Sequence, residues 1–136
     1  MIGVMWDWFS TNLPEDGSIV LEDLSDATSI MALQGPSAKK VLTSILSDEN
    51  HVGRFKWKLI ENNSFGISGW IQGTGYTGEA GYEIFVSNEQ APTLWSALIN
   101  AGATPTGLGA RDTLRLETGY LMSGVDFCSP PLQEEG

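Results

Sequence analysis

The chain has 136 residues with 41% hydrophobic content, enough for one domain with a real core. Seven basic against seventeen acidic residues give a net charge of -10, and only Lys39-Lys40 and the trio Arg54, Lys56, Lys58 gather positive charge, which argues against a nucleic-acid surface. A single cysteine, Cys128, and a single histidine, His51, exclude an internal disulfide, a cysteine-rich zinc site, a His-pair metal site and most Ser-His or Cys-His catalysis. No run is apolar and long enough to span a bilayer, and the start lacks the basic flank of a secretory signal. These features predict a soluble, cytoplasmic protein whose acidity serves solubility.

In chain order, Asn12-Leu13-Pro14-Glu15-Asp16-Gly17 reads as a turn, and residues 18–24 alternate enough to predict a strand. Residues 29–34 form a short apolar run expected of a buried strand. Gly35-Pro36-Ser37 breaks it and opens a helix, in which Ala38, Val41, Leu42, Ile45 and Leu46 repeat at helical spacing. Residues 55–60 alternate with Phe55, Trp57 and Leu59 on one face. Asn62-Asn63-Ser64 is turn chemistry leading into a second arm over residues 66–72. Residues 82–86 predict a strand, and residues 89–101 a helix carrying Leu94, Trp95, Leu98 and Ile99, with Gly102 as its cap. A last helix covers residues 110–118 and ends at Gly119. Few crossovers and hairpin-like connections predict an α+β domain, a mainly antiparallel sheet with helices packed on one face. Trp6, Trp8, Trp57, Trp70 and Trp95 are expected to be core or packing residues, and Met31 and Met122 core fillers.

The functional information concentrates in two segments. Gly73-Thr74-Gly75-Tyr76-Thr77-Gly78-Glu79-Ala80-Gly81 holds more glycine than a turn needs, which suggests backbone shaped for close approach. Its Gly73-x-Gly75-x-x-Gly78 spacing matches a dinucleotide fingerprint, but it leads into a strand where that fingerprint must open a helix, so a nucleotide is not expected. In the strand that follows, Glu83 shares a face with Phe85. It reads either as an edge-strand charge that deters aggregation or as an acceptor for two N–H groups of a flat heterocycle. Arg111 sits in the first turn of the last helix, where the macrodipole disfavours a cation. It reads either as part of an ordinary surface pairing, Asp112–Arg115 or Arg111–Glu117, worth little, or as a contact to an anionic or carbonyl-bearing ligand. Tyr76, held between glycines, either stacks and donates its hydroxyl or covers the sheet edge. His51 and Cys128 are expected in loops.

Residues 74–84 and the segment Gly107-Leu108-Gly109-Ala110-Arg111-Asp112-Thr113-Leu114-Arg115-Leu116-Glu117-x-Gly119 closely resemble the aminomethyltransferase family, the T-protein of the glycine cleavage system and its relatives. Glu22-Asp23-Leu24-Ser25-Asp26, Ala32-Leu33-Gln34-Gly35-Pro36, Gly124-Val125-Asp126 and Pro131-Leu132 resemble its motifs in the same order. The resemblance implies the central part of a three-domain fold: residues 1–28 as an N-terminal segment and leading strand, residues 29–128 as a folate-binding-type α+β domain, and residues 129–136 as a linker towards a C-terminal domain. It implies tetrahydrofolate as cofactor, with Glu83 bonding the pterin, Arg111 in the folate pocket and Tyr76 lining it. It also implies a lipoyl-carrying H-protein as partner and one-carbon transfer with release of ammonia. The family's catalytic aspartate lies in an N-terminal stretch outside this sequence, so no catalytic residue is expected within it and the isolated chain is expected to be inactive. Surfaces that would meet further domains make self-association an expectation.

One position and one four-residue stretch depart from the family pattern. Gly73 stands where an arginine is usual, and Val125-Asp126-Phe127-Cys128 replaces Asn-Asp-Ile-Asp. Relatives acting on sarcosine, dimethylglycine or another methyl donor therefore stay open, as does a folate-binding scaffold without catalysis.

Overall fold

The computed structural model describes residues 2–47, 50–61 and 63–127. Among the described residues, four helices and four strands follow in the order α1 (Ile2–Thr11), β1 (Thr28–Gln34), α2 (Ala38–Leu46), β2 (Trp57–Ile60), β3 (Gly69–Gln72), β4 (Gly81–Ser87), α3 (Ala91–Asn100) and α4 (Leu108–Thr118). The strands form one antiparallel sheet in the order β1-β4-β3-β2. The fold is α+β, as the sequence pattern implies.

Two periodicities build the core. Along β4, Tyr82, Ile84 and Val86 are buried while their neighbours are half-buried, the alternation of a pleated strand. Along α2, the five apolar residues at helical spacing are all buried. The register places Leu33 opposite Tyr82 and Ile71 opposite Ile84, so these side chains share one face of the sheet. Against that face lie α2 and the Leu94, Ala97 and Leu98 stripe of α3. Asn50, itself buried, donates its side-chain amide to the Leu46 carbonyl and satisfies a free acceptor at the C-terminal end of α2. Gly102 follows α3 with φ +99°, where a helix C-terminus commonly takes glycine.

Four local expectations are corrected. Residues 18–24 form no strand: among the described residues they pair with no strand of the sheet, so their alternation is not that of a ladder. The run over residues 29–34 is a strand, but an edge strand. Ile30 is exposed and, within β1, Leu33 alone is buried. Phe55 lies outside β2 with φ +59°, which breaks the alternation that grouped it with Trp57 and Leu59. Finally, Trp6, Trp8, Trp57 and Trp95 are exposed. Trp70 packs, half-buried, with its ring stacked on Phe85 at 4.8 Å. The N-terminal segment forms helix α1, which has no buried residue.

The sheet face away from α2 and α3 carries Ile30, Trp57, Leu59, Trp70, Glu83 and Phe85. A groove of about 470 Å³ runs between this face and α1, lined by Met5, Trp6, Phe9, Ile30, Trp70 and Phe85. Within the described residues, no helix is long and apolar enough to cross a membrane, and no cluster of three or more His, Cys, Asp or Glu could hold a metal ion.

Candidate functional site

The glycine segment forms a loop between β3 and β4. It leads into a strand, so no helix N-terminus awaits a phosphate there. Its shape is imposed by what packs against it. Gln34, at the end of β1, donates Nε2 to the Thr74 carbonyl at 3.1 Å and to the Tyr82 carbonyl at 3.0 Å. Its Oε1 accepts from the Thr77 hydroxyl at 3.2 Å. A Cβ at Gly75 would stand 2.1 Å from Gln34 Oε1, and one at Gly81 would stand 2.5 Å from the Leu33 carbonyl oxygen. Gly78 has φ +76°, and its Cβ would lie 2.2 Å from Thr118 Oγ1. The glycines are thus sites of close approach, but to this chain's own β1 and α4.

Gly73 follows the same logic. A Cβ there would sit 2.2 Å from the Gly53 carbonyl oxygen, because segment 53–56 crosses it: Phe55 N–H donates to the Gly73 carbonyl and Gly73 N–H to the Lys56 carbonyl, each at 2.9 Å. The departure from arginine at this position is therefore built into the backbone packing.

Glu83 is half-buried on β4, and β4 lies between β1 and β3, hydrogen-bonded on both sides. This removes the edge-strand explanation for its charge. Its cross-strand neighbours are Ala32 and Gln72. Its carboxylate accepts a hydrogen bond from the Thr74 hydroxyl, and among the described residues no lysine or arginine forms an ion pair with it.

Tyr76 stacks on Tyr120, with centroids 5.6 Å apart, and donates its hydroxyl to the Leu121 carbonyl. Its ring joins the loop to the segment after α4, and its hydroxyl proton is occupied by the backbone. Arg111 is exposed near the N-terminal end of α4, and its guanidinium has no ion pair among the described residues. Arg115, one turn on, is 1% exposed. It donates Nε to Asp112 at 2.7 Å and Nη1 to Asp126 and to the Tyr120 carbonyl. Asp126 also accepts the Met122 N–H at 2.7 Å. That backbone bond, then Arg115, holds the Asp126 carboxyl below its ordinary pKa, and the carboxylates in turn raise that of Arg115, Asp112 foremost.

The two arginines of α4 thus divide their work. Arg115 knits α4 to the segment that follows it, and Arg111 is exposed without an ion pair among the described residues. Tyr76 is brought to the C-terminal end of α4 through its stacking on Tyr120. Arg111 lies near the other end of that helix, about 10 Å away by helical rise. No hydrogen bond or ion pair joins Glu83 to Arg111 among the described residues.

Two residues escaped the sequence reading. Gln34 was visible as a polar end to an apolar strand, and Thr74 as a hydroxyl among glycines. His51 is in a loop, as expected, and meets the Tyr82 hydroxyl through Nδ1. His51 and Thr74, with Arg54, Gly73, Gly75 and Tyr120, line a cleft of about 440 Å³. Neither Tyr76, Glu83 nor Arg111 lines it. Cys128 lies outside the described residues.

The profile of the GCVT N-terminal domain family matches residues 2–130, and the chain belongs to that family. A protein named aminomethyltransferase from Picosynechococcus sp. is 42% identical over 122 residues, covering 90% of this chain and 33% of the relative. Those of the same name from Chloroherpeton thalassium and Thermosynechococcus vestitus are 42% and 44% identical, over 96% and 90% of this chain. The chain spans about a third of the length of the curated relatives it matches.

Proposed function

We propose that this chain forms the pterin-recognising part of a tetrahydrofolate-dependent aminomethyltransferase of the glycine cleavage type. The observation that carries the proposal is the position of Glu83. A carboxylate on a central strand, on a face shared with Trp70 and Phe85 and without a cationic partner among the described residues, has no evident structural purpose. Left half-buried with one protein donor, it retains acceptor capacity. A 2-amino-4-oxo pterin presents adjacent N–H groups that match it, and the neighbouring aromatic pair offers a flat apolar wall. Arg111 supplies free donors for a carbonyl or carboxylate of the same ligand. Tyr76 acts through its ring, since its hydroxyl is bound to Leu121.

When bound, tetrahydrofolate supplies the nitrogens that accept the one-carbon unit. The residues of this chain bind and orient it. We assign no proton transfer to them, and expect the acid that handles the proton, and the docking of the lipoyl-carrying H-protein, to involve other parts of the whole protein. A methylated amine such as sarcosine or dimethylglycine in place of the aminomethyl-lipoyl donor is compatible with the same pterin site.

Calorimetric titration of tetrahydrofolate into the chain tests the assignment. Binding is expected, weakened about tenfold or more in both Glu83→Ala and Arg111→Ala, the scale of a lost charge-assisted hydrogen bond. No binding by the wild-type chain, or binding as tight as wild type in both variants, overturns it. Ammonia release by residues 1–136 with H-protein and folate would overturn the assignment of catalysis to other parts.

A further inference from the structure

The Thr74 hydroxyl is the side-chain donor to Glu83, and the loop holds it there. The Thr74 carbonyl is tied to Gln34 Nε2, whose other proton goes to the carbonyl of Tyr82, the residue before Glu83. One amide therefore fixes both the loop residue and the strand residue that bring hydroxyl and carboxylate together. Thr77 completes the clamp by donating to Gln34 Oε1, and Gly75 leaves the amide its space. A hydroxyl carries one proton. Thr74 Oγ1 also stands 3.5 Å from Gln72 Oε1, at the outer limit of a hydrogen bond, so the shorter charge-assisted bond to Glu83 takes it. Glu83 Oε2 thus accepts one bond from the protein, and its second lone pair together with Oε1 is left for donors from outside.

We infer that Thr74 is a positioning residue for ligand selection: its hydroxyl fixes the plane of the Glu83 carboxylate, so that the site prefers a heterocycle offering two adjacent in-plane N–H groups over one offering a single N–H. The inference rests on the reading of Glu83 as the pterin acceptor. Preorganisation of this kind acts on discrimination more than on fold stability, because a side chain that finds its own rotamer pays that ordering cost when the ligand binds.

The test is titration of the full chain with tetrahydrofolate and with its 2-desamino analogue, which lacks the exocyclic N–H. Thr74→Val keeps the shape and removes the hydroxyl, and Thr74→Ser keeps the hydroxyl. The expected result is a loss of about tenfold in tetrahydrofolate affinity for Thr74→Val, little change for the analogue, and recovery of the preference in Thr74→Ser. Wild-type preference in Thr74→Val overturns the inference and leaves the folate site standing. Equal losses for both ligands in both variants also overturn it, since they mark damage to the loop. Absence of tetrahydrofolate binding in the wild-type chain removes the folate reading and this inference with it.

Discussion

Single residues in the glycine loop show how little freedom the site has. Gly78 combines a positive φ with a neighbour, Thr118, that is itself β-branched and fixed by a hydrogen bond to Leu114. Gly78→Ala is expected to lower stability by about 1–3 kcal/mol, from left-handed backbone strain together with the displaced threonine. In denaturant titration, the double variant Gly78→Ala, Thr118→Ala should recover the steric share and keep the backbone share. Full recovery would show that φ at position 78 costs nothing. Gly73, Gly75 and Gly81 are governed by contact with the Gly53 carbonyl, Gln34 and β1. From the sequence these glycines announced a close approach. What approaches them, the chain's own backbone and an amide side chain, was not legible, because those partners come from distant parts of the chain.

At the scale of elements, α4 carries the sharpest division of labour. Arg115 joins Asp112, Asp126 and the Tyr120 carbonyl, and Gly119 ends the helix at φ +80°. Asp126 has its pKa lowered from an ordinary 3.8 by the Met122 N–H and then by Arg115. A group whose folded pKa is depressed contributes stability that is fully present above the unfolded value and is lost as pH falls through the folded one. The connection of α4 to residues 120–127 should therefore weaken below about pH 4. Thermal melts between pH 6 and pH 3 should fall less steeply for Asp126→Asn than for wild type. The slope should be reduced and not abolished, since Asp16, Asp23 and Glu89 are also depressed, the first two by bonds to Ser18 and Ser25. An unchanged slope would mean that Asp126 gains nothing from its partners. The sequence reading saw the Asp112–Arg115 pairing as a surface contact worth little, and the arginine's 1% exposure changes that. Helical spacing gave the pairing, while burial depended on residues 120–126 folding back over the side chain.

Across the whole molecule, the sheet has one covered face and one open face. The covered face packs on α2 and α3. The open one presents Ile30, Trp57 and Leu59, each more than half exposed, beside α1 with Trp8 and Phe9. Contiguous apolar surface of this kind seeks a cover. Reversible self-association of the chain is the expected outcome in sedimentation across a concentration series, reduced by Trp57→Glu. A monomer at every concentration would count against it.

Local pattern alone determined much here. The alternation of β4, the buried stripe of α2, the span of α4 and the family-like segments over 74–84 and 107–119 depend on neighbours a few residues apart, and the backbone turns such spacing directly into faces. Tertiary structure decided the rest. It made β4 central, so that Glu83 could no longer be an edge charge, made β1 an edge, left residues 18–24 unpaired and set four tryptophans outside the core. It spent the Tyr76 hydroxyl on Leu121 and the Arg115 guanidinium on two carboxylates, while leaving Arg111 exposed. The physical reason is that strand order, burial and side-chain pairing are contacts between residues tens of positions apart, which local periodicity does not encode.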